Sequence, residues 1–469
     1  QNIIPTPKSV TNSEGTFSFS EKIKIGSGRF GEQTANYLIS QFPNIQIQKN
    51  INTSKADIVF KIIKDITIGE EGYVLSVIQR QITISANTET GLFYGVQSML
   101  QLLPAEVATG RNALAGTQIS CIKVKDTPKY AWRSFMLDSG RQYQTPEFIK
   151  KYLNHMAMLK MNTFHWHLTE GQGWRVEIKR YPKLTSIGAQ VADGEEQHGF
   201  YTQEEIKDSV AFAAKLHIQV VPGIDVPGHS EAALIAYPEL TCFRQAPETV
   251  MAFTPILFCG GKETTYEFLQ NVLDEVCELF PSPYIHLGGD EAPKANWNKC
   301  PDCQAKIKSE VLENSHDLQL YFSKRLANYL KPKGKKVIFW GDVVYHEGTT
   351  LPDNVVIYWW NWWGHKDKGL VNAIARGHQV ICGTNYYNYL NFPLTPWSKY
   401  DKNRTFDFKT IYKENPSDLA NPDSLVLGMG TCLWKDWYVK QNMIDCRVFP
   451  RIFALAEQMW NSGEKIPMN

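Results

Sequence analysis

Along most of this chain, short apolar runs rich in β-branched and aromatic residues alternate with longer stretches whose apolar positions repeat at helical spacing. Beyond residue 128 the runs fall at 133–137, 163–167, 218–221, 284–287, 336–340, 355–359, 379–382 and 425–427, each followed by a helix-like segment. Eight strand–helix repeats predict a closed parallel (β/α)8 barrel, the TIM-barrel architecture. An open doubly wound sheet would also alternate, but it would gather its ligand groups at one crevice. Residues 1–125 have a different rhythm, with strand character at 17–25, 56–62, 72–78 and 81–86 and helical spacing at 91–103. The expectation is an α/β protein in which a small amino-terminal α/β supporting domain, 1–125, precedes a catalytic barrel, 126–469.

Polar and aromatic groups collect just past the carboxyl end of each expected barrel strand, the end where barrel active sites lie. Asp138 and Arg141 follow the first run, His167 and Glu170 the second, Asp225 and His229 the third, Asp290 and Glu291 the fourth. Trp340 and Asp342 end the fifth and Trp359 the sixth, Tyr389 and Asn391 follow the seventh, and Trp434 and Asp436 the eighth. One such cluster means little, whereas eight in succession mark a pocket. His165 and His167 alternate on one strand, so one of them is expected to face it, and His365 and His378 read as surface residues.

Composition narrows the partner. Among 469 residues, 49 basic and 48 acidic side chains leave a net charge of +1, no footprint for nucleic acid or an anionic membrane. Thirteen Trp, 21 Tyr and 23 Phe are a heavy aromatic load, and Trp faces stack on sugar rings, which favours a carbohydrate. No run of 18 apolar residues occurs, so no transmembrane segment is expected. The chain opens at Gln1 without a Met, and the expectation is a secreted or periplasmic protein whose export signal has been removed. Nine cysteines leave at least one unpaired within the chain. Cys300-Pro-Asp-Cys303 has the spacing of half a zinc knuckle, but no second Cys-x-x-Cys completes it, so a local turn or disulfide is expected there. Cys242 and Cys259 bracket a loop that a disulfide would close.

The segment Tyr284-Ile-His-Leu-Gly-Gly-Asp-Glu-Ala292 carries the chemistry. An apolar strand ends in two glycines and presents two adjacent carboxylates. Most Asp-Glu doublets are exposed turns, but here every neighbouring strand end also brings polar groups. Two adjacent acids in one site cannot both ionise cheaply, so one holds a proton near neutral pH. Paired carboxylates in an aromatic pocket suit glycosidic bond cleavage. Ordinary glycosidases separate their two carboxyls by about 5 Å or more. Adjacent side chains instead address different atoms of one sugar, as substrate assistance needs: the sugar's 2-acetamido oxygen attacks C1, one carboxylate orients that group, and the other is general acid and then base. No cofactor and no metal ion are expected for this chemistry.

Over essentially its whole length the chain resembles family 20 of the glycoside hydrolases, the β-N-acetylhexosaminidases. The matching motifs, in order, are Phe164-His-Trp-His-Leu-Thr with Gln172-Gly-Trp-Arg175, Asp225-Val-Pro-Gly-His229-Ser, His286-Leu-Gly-Gly-Asp-Glu-Ala and Pro450-Arg-Ile-Phe-Ala-Leu-Ala-Glu457. The resemblance implies Glu291 as general acid/base, Asp290 as the acetamido-orienting carboxylate and Tyr389 as a donor to the acetamido oxygen. It implies that Arg141 and Asp436 hold the sugar hydroxyls, and that Trp340, Trp359 and Trp434 wall the ring and the acetamido methyl. Asp225 and His229 would support the catalytic acid, His229 at the edge of the sugar site, with His167 and Glu170 behind. Arg141 has a competing reading as an ion-pair partner of Asp138.

The chain departs from the family's pattern at several positions. Glu170-Gly171 stands for Asp-Asp, Pro222-Gly-Ile-Asp225 for Pro-Glu-Ile-Asp, Tyr389-Leu-Asn391 for Tyr-Leu-Asp, and Leu433-Trp-Lys-Asp436 for Leu-Trp-Thr-Glu. These changes leave C1 chemistry alone and alter the far side of the sugar. Asn391 removes a negative charge near the C6 hydroxyl, so tolerance of, or preference for, 6-O-sulfated N-acetylglucosamine is one expectation and plain N-acetylglucosamine the other. The expected partner is an N-acetylglucosamine-terminated glycan. The rivals are a lacto-N-biosidase-like enzyme releasing disaccharides and a glycan-binding relative without catalysis. The latter would be expected to have lost Asp290, Glu291 or Tyr389, and all three are present.

Overall fold

A computed structural model describes residues 3–461 apart from 29–30, 50, 193, 195–196, 249, 251–253, 347–349, 363, 395–404, 417–424 and 437–438. Eight parallel strands close the barrel: β1 (Trp132–Asp138), β2 (Thr163–His167), β3 (Gln219–Val226), β4 (Tyr284–Gly288), β5 (Lys336–Trp340), β6 (Val355–Trp359), β7 (Gln379–Cys382) and β8 (Val426–Leu433). This is the TIM barrel expected from the repeat of apolar runs. Two strands run further than their apolar runs. Strand β3 continues through Pro222 and Gly223, which pair with Trp166 and His167 of β2. Strand β8 continues to Leu433, with Gly428 and Gly430 inside it. Gly430 is needed there, because a Cβ would lie 2.3 Å from the Tyr358 hydroxyl and 2.6 Å from Ser134 Oγ.

The amino-terminal domain is a seven-stranded mixed sheet in the order Ser9–Ser18, Gln118–Asp126, Tyr73–Ile78, Gln81–Ala86, Ile58–Ile62, Lys22–Gly26, Gln46–Gln48. Its last strand ends at Asp126. The run expected as one strand at 17–25 is divided between two strands, with a break at 19–21. The helix Glu89–Leu100 packs on the sheet and begins at a Thr88 cap that accepts the Gly91 N–H.

Buried polar contacts fasten this domain to the barrel. Arg133 of β1 forms a bidentate pair with Glu71, at 2.8 and 2.9 Å. Asp126 accepts the Trp460 indole N–H at 2.9 Å from the closing helix Arg451–Trp460. His378, expected at the surface, is buried.

Candidate active site

Strand β4 hands over to the site through backbone that few residues adopt. Gly288 and Gly289 have φ of 65° and 88°, and Glu291 follows at 45°. A Cβ on Gly288 would fall 1.4 Å from Asp225 Oδ1, so glycine is what allows Asp225 of β3 to come in under the turn. Asp225 Oδ1 accepts the Gly289 N–H at 3.3 Å. The left-handed Glu291 costs about 1–3 kcal/mol and persists because its surroundings hold it. Its N–H points at Asp342 Oδ1, 3.5 Å away.

One chain of charges links the ends of the first four strands. Arg141 Nη1 lies 2.9 Å from Asp138 Oδ2, and its Nη2 lies 2.9 Å from Glu170 Oε1. Glu170 also meets His167 Nε2 at 3.2 Å and His229 Nδ1 at 3.1 Å. The other nitrogen of His229 lies 3.6 Å from Asp290 Oδ2 and 3.5 Å from Glu291 Oε2. Burial opposes charge on both partners here, yet each overcomes it. Arg141 and His229 hold Glu170 well below the usual carboxylate range, while Glu170 and Asp290 raise His229 well above the usual imidazole range. These shifts favour the imidazolium form of His229, which stands between Glu170 and the two acids.

The acids around it are pushed the other way. Burial, with the nearby Asp225, Asp342 and Glu291 carboxylates, raises Asp290 well above its ordinary value. Burial likewise lifts Asp225, Asp342 and Asp436 to about 6. Asp290 Oδ1 is buried and has no partner among the described residues. Crowded carboxyls of this kind favour a positive charge developing between them.

Aromatic groups close the opposite half. Trp340 packs on His286 at 4.3 Å, Tyr358 at 4.7 Å and Trp434 at 5.7 Å between ring centres. Trp434 in turn carries the Arg141 guanidinium over its face at 5.1 Å. Tyr389 lies nearly parallel to Trp360, 12° between planes and 6.4 Å apart. The Trp360 indole N–H donates to Asp342 Oδ2 at 2.7 Å. Asn391 Nδ2 donates to Asp436 Oδ1 at 2.9 Å, which leaves Asn391 Oδ1 buried without a partner among the described residues.

Two expectations need correction. Trp359 is not on the pocket wall. Side chains alternate along β6, so Tyr358 points into the barrel and Trp359 points out, its indole N–H donating to Lys366 O at 2.6 Å and its ring beside Trp362. Trp360, one residue past the strand, is the indole that turns toward Tyr389 and Asp342. His165 and His167 both face inward, because residues two apart on a strand share a face. His165 stacks on His286 at 4.5 Å, deeper in the barrel. Arg141 pairs with Asp138 and with Glu170 as well, with 15% of its side chain exposed. From sequence, Trp360 was only one of the tryptophans in the 359–365 run that could help shape the site, and Asp342 was noted without a role. The parity of β6 was the available signal for Trp360.

His167, Glu170 and Asp225, and separately His229, Asp290 and Glu291, bring donor atoms within 4.8 Å of one another, the spacing of cation ligands. Glu170 and His229 are already committed to the ion-pair chain, which makes both groups parts of one acid–base network.

Two family models match, Glycosyl hydrolase family 20, catalytic domain, over residues 130–463 and domain 2 of the same family over residues 1–127. The chain belongs to glycosyl hydrolase family 20. Among solved structures, the β-N-acetylhexosaminidase from Bacteroides fragilis NCTC 9343 is 51% identical with a TM-score of 0.92, covering 100% of this chain and 92% of that one. A family 20 exo-β-N-acetylglucosaminidase from Vibrio harveyi, solved in complex with N-acetylglucosamine, is 28% identical with a TM-score of 0.85, covering 98% and 73%. The β-hexosaminidase of Porphyromonas gingivalis is 35% identical over 98% of this chain, which spans 60% of that longer protein.

Proposed function

We propose that this chain is an exo-acting β-N-acetylhexosaminidase that removes terminal β-linked N-acetylglucosamine by substrate-assisted hydrolysis with retention. The observation that carries the reading is the meeting of adjacent Asp290 and Glu291 at one nitrogen of His229, at the barrel mouth that also holds the Trp340–Trp434 and Trp360–Tyr389 ring pairs. The acetamido oxygen attacks C1 as the glycosidic C1–O bond breaks, and Glu291 gives its proton to the leaving oxygen. Asp290 accepts the acetamido N–H, and the positive charge growing on the oxazolinium ring favours its ionised form. Water then attacks C1, Glu291 takes its proton, and the ring opens to the product. His229 stands between Glu170 and the two acids and opposes the upward shift of Asp290.

The test is hydrolysis of 4-nitrophenyl N-acetyl-β-glucosaminide. Glu291→Gln should lower kcat by roughly 10²–10⁴-fold, with partial rescue by azide. Unchanged turnover removes the assignment.

The finer proposal concerns C6. Asn391 takes away one negative charge, and Asp436, its hydrogen-bond partner, has a pKa of about 6. We propose that the site accepts 6-O-sulfated N-acetylglucosamine and that acceptance improves below about pH 6, where Asp436 becomes neutral. The ratio of kcat/KM for sulfated over plain substrate should rise from pH 7 to pH 5 and fall in Asn391→Asp. A strong, pH-independent preference for the plain substrate overturns it.

A further inference from the structure

Away from the sugar site, four cysteines distant in sequence converge. Cys242 follows the short turn Pro238–Leu240, and Cys259 returns beside it, its N–H bonded to Leu240 O at 2.9 Å and Thr241 bridging Phe258. Cys300 caps the helix Pro301–Ser309, and Cys303 sits in that helix's first turn. All four are buried. Their Sγ atoms are 3.8 Å apart for Cys242 and Cys303, 3.7 Å for Cys259 and Cys300, and 3.6 Å for Cys259 and Cys303. The four all lie within 4.8 Å of one another.

We propose that Cys242, Cys259, Cys300 and Cys303 bind a structural zinc ion as a tetrathiolate. Four sulfurs about 2.3 Å from a tetrahedral zinc stand about 3.8 Å from each other, the spacing seen here. Pairing into two disulfides would divide the four sulfurs into separate couples. Instead Cys259 touches both Cys300 and Cys303, and Cys303 touches both Cys242 and Cys259. The backbone is shaped for the cluster, because a Cβ on Gly261 would lie 2.4 Å from Cys303 N and 2.2 Å from Asp302 C. Only a glycine lets the Cys259 turn close on the helix start. The sequence expectation of a disulfide or simple turn missed this convergence because the complement of Cys300-x-x-Cys303 is a pair of cysteines on another loop rather than a second Cys-x-x-Cys.

Binding is balanced by proton release: one zinc ion and four thiols give one zinc tetrathiolate, of charge −2, and four protons. The cage joins two segments that matter to the site. Cys242 and Cys259 belong to the loop that follows Asp225 and His229, and Cys300 and Cys303 to the one that follows Asp290 and Glu291. Between cage and site, Phe258 N–H donates to Pro227 O at 3.2 Å and the Trp297 indole to Phe258 O at 3.1 Å. Zinc would lock the two acid-bearing loops together from behind, away from the reacting atoms.

The full chain, purified without chelator, added metal or reductant, decides it by elemental analysis. The expected result is close to one zinc per chain, released by a mercurial thiol reagent and counted with a zinc-binding dye. Cys300→Ser and Cys303→Ser should lose the zinc, while Cys446→Ser, an exposed cysteine outside the cage, should keep it. Where a serine variant fails to fold, the zinc content of the unaltered chain still gives the answer. Protein without zinc whose denatured thiol count reveals two disulfides overturns the proposal. Stoichiometric iron would preserve the cage and overturn the choice of ion.

Discussion

The two halves of the barrel mouth are built on different physics. Past β1 to β4 the groups are ionic and hold one another, in a continuous line from Asp138 through Arg141, Glu170 and His229 to Asp290 and Glu291. Past β5 to β8 they are aromatic, with Trp340, Trp360, Tyr389 and Trp434 giving shape, and two acids among them, Asp342 accepting from the Trp360 indole and Asp436 from the Asn391 amide. The ionic half sets where protons reside, because removing any member leaves its neighbours' buried charges uncompensated. The aromatic half sets what fits. Damage to the first should therefore appear mainly in kcat and in pH dependence, and damage to the second mainly in KM.

Among changes that spare the two acids themselves, the largest break comes from His229→Ala. It removes the one positive charge shared by Asp290 and Glu291, and kcat should fall by about 10²–10³-fold with KM changed far less. The kcat–pH profile should move as well, since burial and neighbouring carboxylates raise Asp290 and His229 is the group that opposes that rise. A fall in KM-controlled binding alone, with the profile unmoved, would show that the two halves do not divide the work this way.

A sharper contrast sets Trp360 against Trp359. Trp360→Phe removes a donor to the buried Asp342 carboxylate and part of the wall beside Tyr389, so kcat/KM should drop roughly tenfold, about 1.4 kcal/mol, chiefly through KM. Trp359→Phe leaves Lys366 O without its donor and thins the packing outside the barrel. It should lower stability by about 1–3 kcal/mol in chemical denaturation and leave kcat and KM as they were. Equal kinetic effects from both would contradict the strand parity on which the assignment rests.

That pair also shows what the chain made legible. The barrel, its strand ends and the charged motif residues were readable, because polar groups recurring after apolar runs are a one-dimensional pattern. Asp290, Glu291, His229 and Arg141 all stand at such ends. Trp360 was not readable in the same way: within Trp359-Trp360-Asn-Trp-Trp the composition is uniform, and only the register of β6 decides which indole turns inward. The partners of Glu170 escaped for another reason. Arg141, His167 and His229 reach it from three strand ends, a convergence that depends on barrel closure. The Cys242, Cys259, Cys300 and Cys303 cluster is the same lesson, since its halves lie on different loops.

Asp342→Asn is a smaller perturbation that touches both halves. Asp342 faces the Glu291 N–H with one oxygen and accepts the Trp360 indole with the other. The amide keeps an acceptor for one of them, so kcat should fall only several-fold. Its diagnostic is the acid limb of the rate profile: burial raises Asp342 to about 6, and replacing it with a neutral group should simplify the titration near that pH.

The smallest expected effect is on stability and separates the halves by sign. Asp436 has its pKa raised by burial from 3.8 to about 6, so the folded state favours the neutral form. Its contribution to stability is full below about pH 4 and is lost as pH rises through 6, beyond which it changes no further. Glu170, held well below its ordinary value by Arg141 and His229 against the cost of burial, works the other way: its contribution is present above about pH 4.5 and is lost only as pH falls toward its lowered pKa. Asp436→Asn should therefore flatten the decline in Tm between pH 4.5 and 6.5 by a degree or two, about 0.5–1 kcal/mol after allowance for relaxation, and leave the loss below pH 4 intact. A Tm profile unchanged between pH 4.5 and 6.5 in the variant would mean that the aromatic half does not hold Asp436 in the raised state that the C6 proposal requires.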